Sequence, residues 1–390
     1  MRNLPLLLSL SILLVAGTTH ADDDAKPSWT PKVTPVGYVE AYWAWNFNRP
    51  SNDITNYRGF DNRHNSITLS NAALGATFES GPVGGKIMLQ VGSQPSTAYA
   101  SEPVLGGASG ANATGPDLWK HIQEAYLTYR IPAGKGIDLQ AGIVASPVGI
   151  EYLAVKDNWN WSRSNLFFAL PAYHTGLRAT YAWTDEVSTT ASVFNGWNDV
   201  VDNNEEKSVE ANVNYKRGSF AGQLLYFGGV ERPSGAAEGP YWRHTFDALA
   251  QVDATKWLSF MGEADAGFEP NRFGTASWIA YAGYARVQPL HGLFVAGRFD
   301  RFAEHVAADA NGASTPLFWG GASWVSSGTL TVEERPAEGI SFRLEGRHDV
   351  SSKPLFFGQN VTGDGSNDAP YVANARTQDT VLLGATAWFQ

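Results

Sequence analysis

Apolar and polar residues alternate with a period of two from about Val36 to the end of the chain, while the 3.6-residue period of helices is nearly absent. Between Ile340 and Asp349, for instance, Ile340, Phe342 and Leu344 fall on one face and Ser341, Arg343, Glu345, Arg347 and Asp349 on the other. The first predicted strand sets Val39, Ala41, Trp43 and Trp45 against Tyr38, Glu40 and Tyr42. The last sets Val381, Leu383, Ala385, Ala387 and Phe389 against Thr380, Leu382, Gly384, Thr386 and Trp388. One face is greasy and the other polar or ionic, and the chain begins and ends in a strand. If those two strands pair, the sheet closes and every backbone N–H and C=O finds a partner, which is what a sheet in hydrocarbon requires. The expected fold is therefore all-β: a closed antiparallel transmembrane β-barrel.

Connection lengths sharpen this. Tight turns rich in Gly, Pro or charge are predicted near 79–85, 131–136, 184–187, 216–219, 254–257, 288–292 and 335–339. Longer connections are predicted near 47–63, 93–119, 145–172, 195–207, 228–241, 267–277, 302–318 and 350–376. Seven short and eight long connections imply 16 strands, with short periplasmic turns, long extracellular loops and both termini in the periplasm. Trp43, Trp45, Tyr181, Trp183, Trp278, Trp324, Trp388 and Phe389 sit near strand ends and are expected to form interfacial girdles.

Composition removes other classes. Of 390 residues, 43% are hydrophobic, 13% aromatic and 17% charged, which is far too much burial potential for a disordered chain. After the N-terminus there is no apolar run of about 18 residues for a helical span. The absence of Cys excludes disulfide scaffolds and thiolate metal sites, and a formal charge of -10 argues against a nucleic-acid partner. Residues 1–21 read as an export signal, with Arg2, an apolar Leu4–Ala16 stretch and a Thr19-His20-Ala21 cleavage site. A short periplasmic segment is expected over 22–35 and the barrel over 36–390.

A barrel of this size encloses water, so function is expected in what lines it. The inward alternation face is predicted to carry Glu40, Glu124, Asp138, Glu210, Asp247, Glu263, Asp265 and Glu345 against Lys86, Arg178, Arg286, Arg298, Arg343 and Arg347. Both signs line the wall, and the acidic excess points to a weak cation preference. The 145–172 connection carries Trp159, Trp161, Phe167 and Phe168, an aromatic load unsuited to a loop waving in water. Folded inward, it narrows the pore and offers Glu151, Lys156, Asp157 and Arg163 as eyelet charges; an extracellular cap or a subunit contact is the alternative.

Several short motifs, in order, carry a family resemblance. They are Gly37-Tyr38-Val39-Glu40-Ala41-Tyr42 with Asn46-Phe47-Asn48-Arg49-Pro50, His64-Asn65-Ser66 with Asn71-Ala72-Ala73-Leu74, and Gln123-Glu124-Ala125-Tyr126. Asp157 to Ser164 and Tyr173-His174-Thr175-Gly176-Leu177-Arg178 complete the set. Together they resemble the β-barrel porin-2, OmpL-like family over essentially the whole mature chain. That resemblance implies an outer-membrane porin of a Gram-negative bacterium, passing small hydrophilic solutes or ions by passive diffusion, with no cofactor, no metal and no catalytic residues. Outer-membrane lipid is the implied partner, and a homotrimer follows by analogy with other sixteen-stranded porins.

Two rival classes remain. A barrel hydrolase needs a Ser/His or Asp/His constellation, for which His174 beside Arg178 is the best candidate. A non-conducting structural or adhesive barrel would act through its loops. Asp309-Ala310-Asn311-Gly312 and Asp364-Gly365-Ser366-Asn367-Asp368 resemble pieces of a calcium loop but lack the later Glu, so Asx turns are expected there.

Overall fold

The computed structural model describes residues 30–105 and 113–389, so the expected export signal lies outside the described residues. Sixteen strands form one closed antiparallel barrel. They are β1 (Lys32–Asn46), β2 (Ser66–Ser80), β3 (Val83–Val91), β4 (Ile122–Ile131), β5 (Ile137–Ala145), β6 (Tyr173–Ala182), β7 (Val187–Phe194) and β8 (Ser208–Arg217). The second half comprises β9 (Phe220–Val230), β10 (Trp242–Asp253), β11 (Leu258–Asn271), β12 (Gly274–Leu290), β13 (Leu293–His305), β14 (Trp324–Ala337), β15 (Ile340–Ser351) and β16 (Thr377–Phe389). Each strand pairs with its neighbours in sequence, and β1 closes the sheet on β16 from Gly37↔Phe389 to Asn46↔Thr380. No edge is left for another chain to pair with.

The burial pattern is inside out for a water-soluble protein. On β15, Phe342 and Leu344 are 48% and 49% exposed while Arg343 and Glu345 are 2% and 1% exposed. Ile67, Leu74, Leu224 and Leu330 likewise point outward and uncovered. Such an outer surface belongs against acyl chains. Both faces of the alternation are thus occupied, one by lipid and one by the interior, and this is why a period of two persists through every strand.

Three expectations are corrected. The long connection near 267–277 is a tight turn: β11 runs to Asn271, β12 starts at Gly274, and Asn271 pairs with Gly274. Strand β1 begins at Lys32 rather than near Val36. Trp278 is not a girdle residue but faces inward, where its indole N–H donates to Asp265, and Trp388 is also on the inward face beside Arg335. The Asp309 and Asp364 segments are Asx turns, accepting from the backbone N–H of Asn311 at 2.7 Å and Ser366 at 2.9 Å.

Candidate functional site

The 146–172 connection between β5 and β6 folds into the barrel. Its Trp159, Leu166 and Ala169 join a buried apolar cluster with Trp278, Ala280, Tyr284 and Phe302 of the wall. Trp161 packs with Tyr42 and Leu382 over Gly384 of β16, where a Cβ would lie 2.3 Å from the indole ring. The 47–65 connection closes over it from the long-loop end, with Phe60 5.6 Å from Phe167 and 5.4 Å from Phe168 between ring centroids.

An irregular loop with a buried backbone must find partners for its N–H and C=O groups. Here the charged luminal wall supplies them, and the two signs divide the task. Carboxylates take the N–H groups: Glu263 accepts from Ile150 at 3.2 Å, Glu40 from Val155 at 2.5 Å, and Asp300 from Asn165 at 3.1 Å. Glu345 accepts from both Trp161 (2.6 Å) and Ser162 (3.0 Å), and Asp247 lies 3.4 Å from the N–H of Gly149. Arginines take the carbonyls. Arg343 donates to Val155 (2.9 Å), Asn158 (2.8 Å) and Asn160 (3.3 Å), while Arg298 reaches Ser162 and Arg163, and Arg347 reaches Arg163. A salt bridge of 2.9 Å joins Arg298 to Glu151 of the loop itself.

These polar anchors stand on β1, β10, β11, β13 and β15, whereas towards β2, β3, β7 and β9 the loop makes apolar contacts, Ala154 clustering with Ala73 and Met88, and Val148 and Leu170 with Phe194, Leu225 and Phe227. A cavity of about 360 Å³ remains between the loop and β1–β5, lined by Tyr38, Lys86, Glu124, Tyr152, Lys156 and Asp157. A second cavity of about 580 Å³, sharing Glu151 and Tyr152 with it, extends towards the short turns beside Glu186, Asn214 and Lys216.

The sequence-predicted residues therefore divide into two groups. Glu40, Asp247, Glu263, Asp265, Arg298, Arg343, Glu345 and Arg347 point inward but are buried, most of them beneath the loop. Glu124, Asp138 and Arg178 are not among the loop's anchors: Glu124 pairs with Lys86, Asp138 with Arg130 at 2.8 Å, and Arg178 donates to Gln140 at 3.1 Å. Of the proposed eyelet charges, Lys156 and Asp157 pair at 2.9 Å and remain accessible. Glu151 is mostly buried although it lines both cavities, and Arg163 lines neither. Arg163 is buried and ties the loop to itself through the carbonyls of Tyr152, Leu153 and Trp161, while Glu151 accepts from Ser164 N–H at 2.7 Å. Arg58 in the first connection, ion-paired with Asp61 beside it and with Asp349 of β15, is not among the residues the sequence singles out. The partnership with Asp349 spans most of the chain and has no local signature.

His174 is fully buried between the rings of Phe194 and Phe227, 4.4 and 5.1 Å away. Its ring nitrogens meet the Gly196 carbonyl (2.9 Å) and the Ser146 hydroxyl (3.1 Å), so it fastens the mouth of the inserted loop to the end of β7.

At the extracellular rim, Glu102 accepts from the N–H of Val200 and Glu231 from that of Trp197, clamping the 195–207 connection. Burial pushes the nearby Asp199 carboxyl up to about 8, and the Glu231 and Glu102 carboxylates push the same way. Its folded value lies above its unfolded one, so the folded rim holds a proton that the unfolded segment releases. The associated stability is complete below about pH 4 and declines as pH rises through 8. Asp199→Asn is expected to slow hydrogen exchange of the 195–207 amides most at pH 9 and to leave it nearly unchanged below about pH 4. An identical pH profile in both proteins would assign the loosening elsewhere.

A closed sixteen-stranded barrel with an apolar outer wall and a loop folded into its lumen is the architecture of outer-membrane porins. The family model described as "Putative beta-barrel porin-2, OmpL-like" matches residues 32–389, and the chain belongs to that family. It is an outer-membrane porin. Among solved structures, the outer-membrane channel DcaP of Acinetobacter baumannii is similar at 11% identity and a TM-score of 0.59, covering 92% of this chain and 97% of that one. The anion-selective porin from Comamonas acidovorans gives 11% identity and a TM-score of 0.60, covering 92% and 100%. OmpT of Vibrio cholerae, in-vitro folded and in trimer form, gives 10% and 0.58, covering 92% and 100%. At such identities the likeness is one of fold. No curated protein matches the chain significantly.

Proposed function

We propose that small hydrophilic solutes and ions cross passively through the cavities left beside the loop, past Lys86, Glu124, Lys156 and Asp157, and that no turnover chemistry accompanies passage. The observation that carries this reading is the pair of cavities left between the loop and the wall, one bordered by Lys86, Glu124, Lys156 and Asp157 and the other by Glu186, Asn214 and Lys216. A hydrolase reading loses support because His174 is sealed between two phenylalanines and its second nitrogen meets a backbone carbonyl instead of a carboxylate. We further propose a homotrimer, by analogy with the trimer form of OmpT. On the outer wall, His348 and Asp379 pair at 2.8 Å while exposed, a polar feature better covered by another protomer than by lipid.

Planar-bilayer recording tests these statements together. Purified protein is expected to conduct in steps that occur in threes, and Lys156→Glu is expected to shift the reversal potential towards cation preference. A variant that conducts with an unmoved reversal potential would place the solute path away from Lys156, and single independent steps would remove the trimer.

A further inference from the structure

Below the loop, towards the short-turn end, the luminal wall carries a stack of rings and guanidiniums that meets the loop only at Trp159. Arg286 projects inward from β12, with its guanidinium carbon 4.5 Å from the centroid of Trp159 and 5.3 Å from that of Phe294. Arg335 of β14 lies 5.2 Å from the same Phe294 and 5.8 Å from Trp388. Two guanidiniums and three aromatic rings thus interleave across β12, β13, β14, β16 and the tip of the loop.

The two arginines differ in what satisfies them. Arg335 holds both oxygens of Glu333, at 2.9 and 3.2 Å, and Glu333 also takes a hydrogen bond of 2.9 Å from Arg343. Arg286 makes no ion pair and no hydrogen bond within the described residues, although it is half-buried. The charged groups that face it are Arg335, Glu333, Asp253 and Arg343. Glu333 is already engaged twice and Asp253 accepts from the Ser259 hydroxyl at 2.6 Å, so three guanidiniums share two committed acids. Arg286 therefore presents an unclaimed fork of N–H donors in a locally positive niche.

The geometry points to Arg286 as a binding subsite for small organic carboxylates on their way through the pore. A guanidinium edge matches the two coplanar oxygens of a carboxylate, giving two parallel charge-assisted hydrogen bonds. The adjacent Trp159 and Phe294 rings present electron-rich faces that disfavour oxygens standing out of that plane, as a tetrahedral phosphate would place them. Lumen walls of low polarisability around the niche strengthen the attraction relative to open water. The inference rests on solute passage through this lumen, and binding and conduction can be measured separately.

Calorimetric titration of the detergent-purified full chain with benzoate, benzamide and inorganic phosphate reads the subsite directly. Benzoate is expected to bind, with benzamide and phosphate at least about tenfold weaker. Arg286→Gln, checked for an unchanged unfolding midpoint, is expected to weaken benzoate by about tenfold or more, the loss of a charge-assisted pair. Arg286→Lys keeps the charge without the fork and is expected to fall between. In bilayers, benzoate is expected to reduce the potassium chloride current of the wild type and to lose that effect in R286Q. Equal benzoate binding by R286Q and wild type, equal binding of benzamide, or equal binding of phosphate would each overturn the assignment. A wild-type protein that binds benzoate but conducts no chloride salt would sink the solute path and leave the subsite standing.

Discussion

Deleting residues 152–166 is expected to raise the single-channel conductance about twofold or more, because a sixteen-stranded barrel is wide enough for an aqueous bore and the loop fills much of it. The barrel should still close. Strands β5 and β6 are antiparallel neighbours that need only a short connection, and no ladder bond involves the deleted segment. The sign of the selectivity change also follows from the contacts. Removal would wet Glu40, Asp247, Glu263, Asp300 and Glu345 on the acidic side and Arg298, Arg343 and Arg347 on the basic side, while taking away Lys156, Asp157 and Arg163. Acids dominate the newly exposed set, so the reversal potential is expected to move towards cation preference. Unchanged conductance would mean that the loop does not bound the solute path. An unchanged reversal potential would mean that these wall charges stay neutralised without it.

A sequence count of luminal charge leaves out which of those charges the loop engages. Alternation gives the facing of Arg343 and Glu345 correctly, because the pleat fixes it locally and lipid enforces it. What alternation cannot give is the partner. Glu345 meets Trp161 and Ser162 from more than 180 residues away, and a carboxylate bound to two backbone N–H groups carries the same letter as one in open water. The weak cation preference expected from the acidic excess counts Glu40, Glu263 and Glu345 as open charges, whereas each accepts from a backbone N–H of the loop. Turn chemistry was legible for the seven short connections, yet the Asn271–Gly274 turn was hidden because its flanks, Phe268 and Ser277, continue the strands through residues that look like loop. The inward folding of 145–172 was one of two readings that its aromatics allowed. Gly384, the seat of Trp161, gave no signal at all, since its role is to be empty where another segment arrives.

Arg298→Ala is expected to be the most damaging single truncation in the lumen. Its side chain is fully buried, pairs with Glu151 at 2.9 Å and Asp300 at 3.2 Å, and donates to two loop carbonyls and to Thr329. Alanine takes the ion-pair partner from two buried carboxylates, Glu151 and Asp300, and the donor from the Ser162 carbonyl, while the Arg163 carbonyl keeps Arg347; a broken buried pair costs about 3–5 kcal/mol. The strand ladder is untouched, so the damage should concentrate on the loop: the unfolding midpoint in detergent falls, and the open-channel current becomes noisy as the loop leaves the wall. Arg298→Lys restores the charge but not the fork that spans Glu151 and the carbonyls, and is expected to recover only part of both signals. Combining Arg298→Ala with Glu151→Gln should cost less than the sum of the two changes, because the second removes one of the charges that the first stranded. A quiet current and an unshifted midpoint in Arg298→Ala would show that the apolar seat of Trp159, Trp161 and Leu166 holds the loop unaided, and the luminal charges would then owe their burial to the loop without contributing to its position.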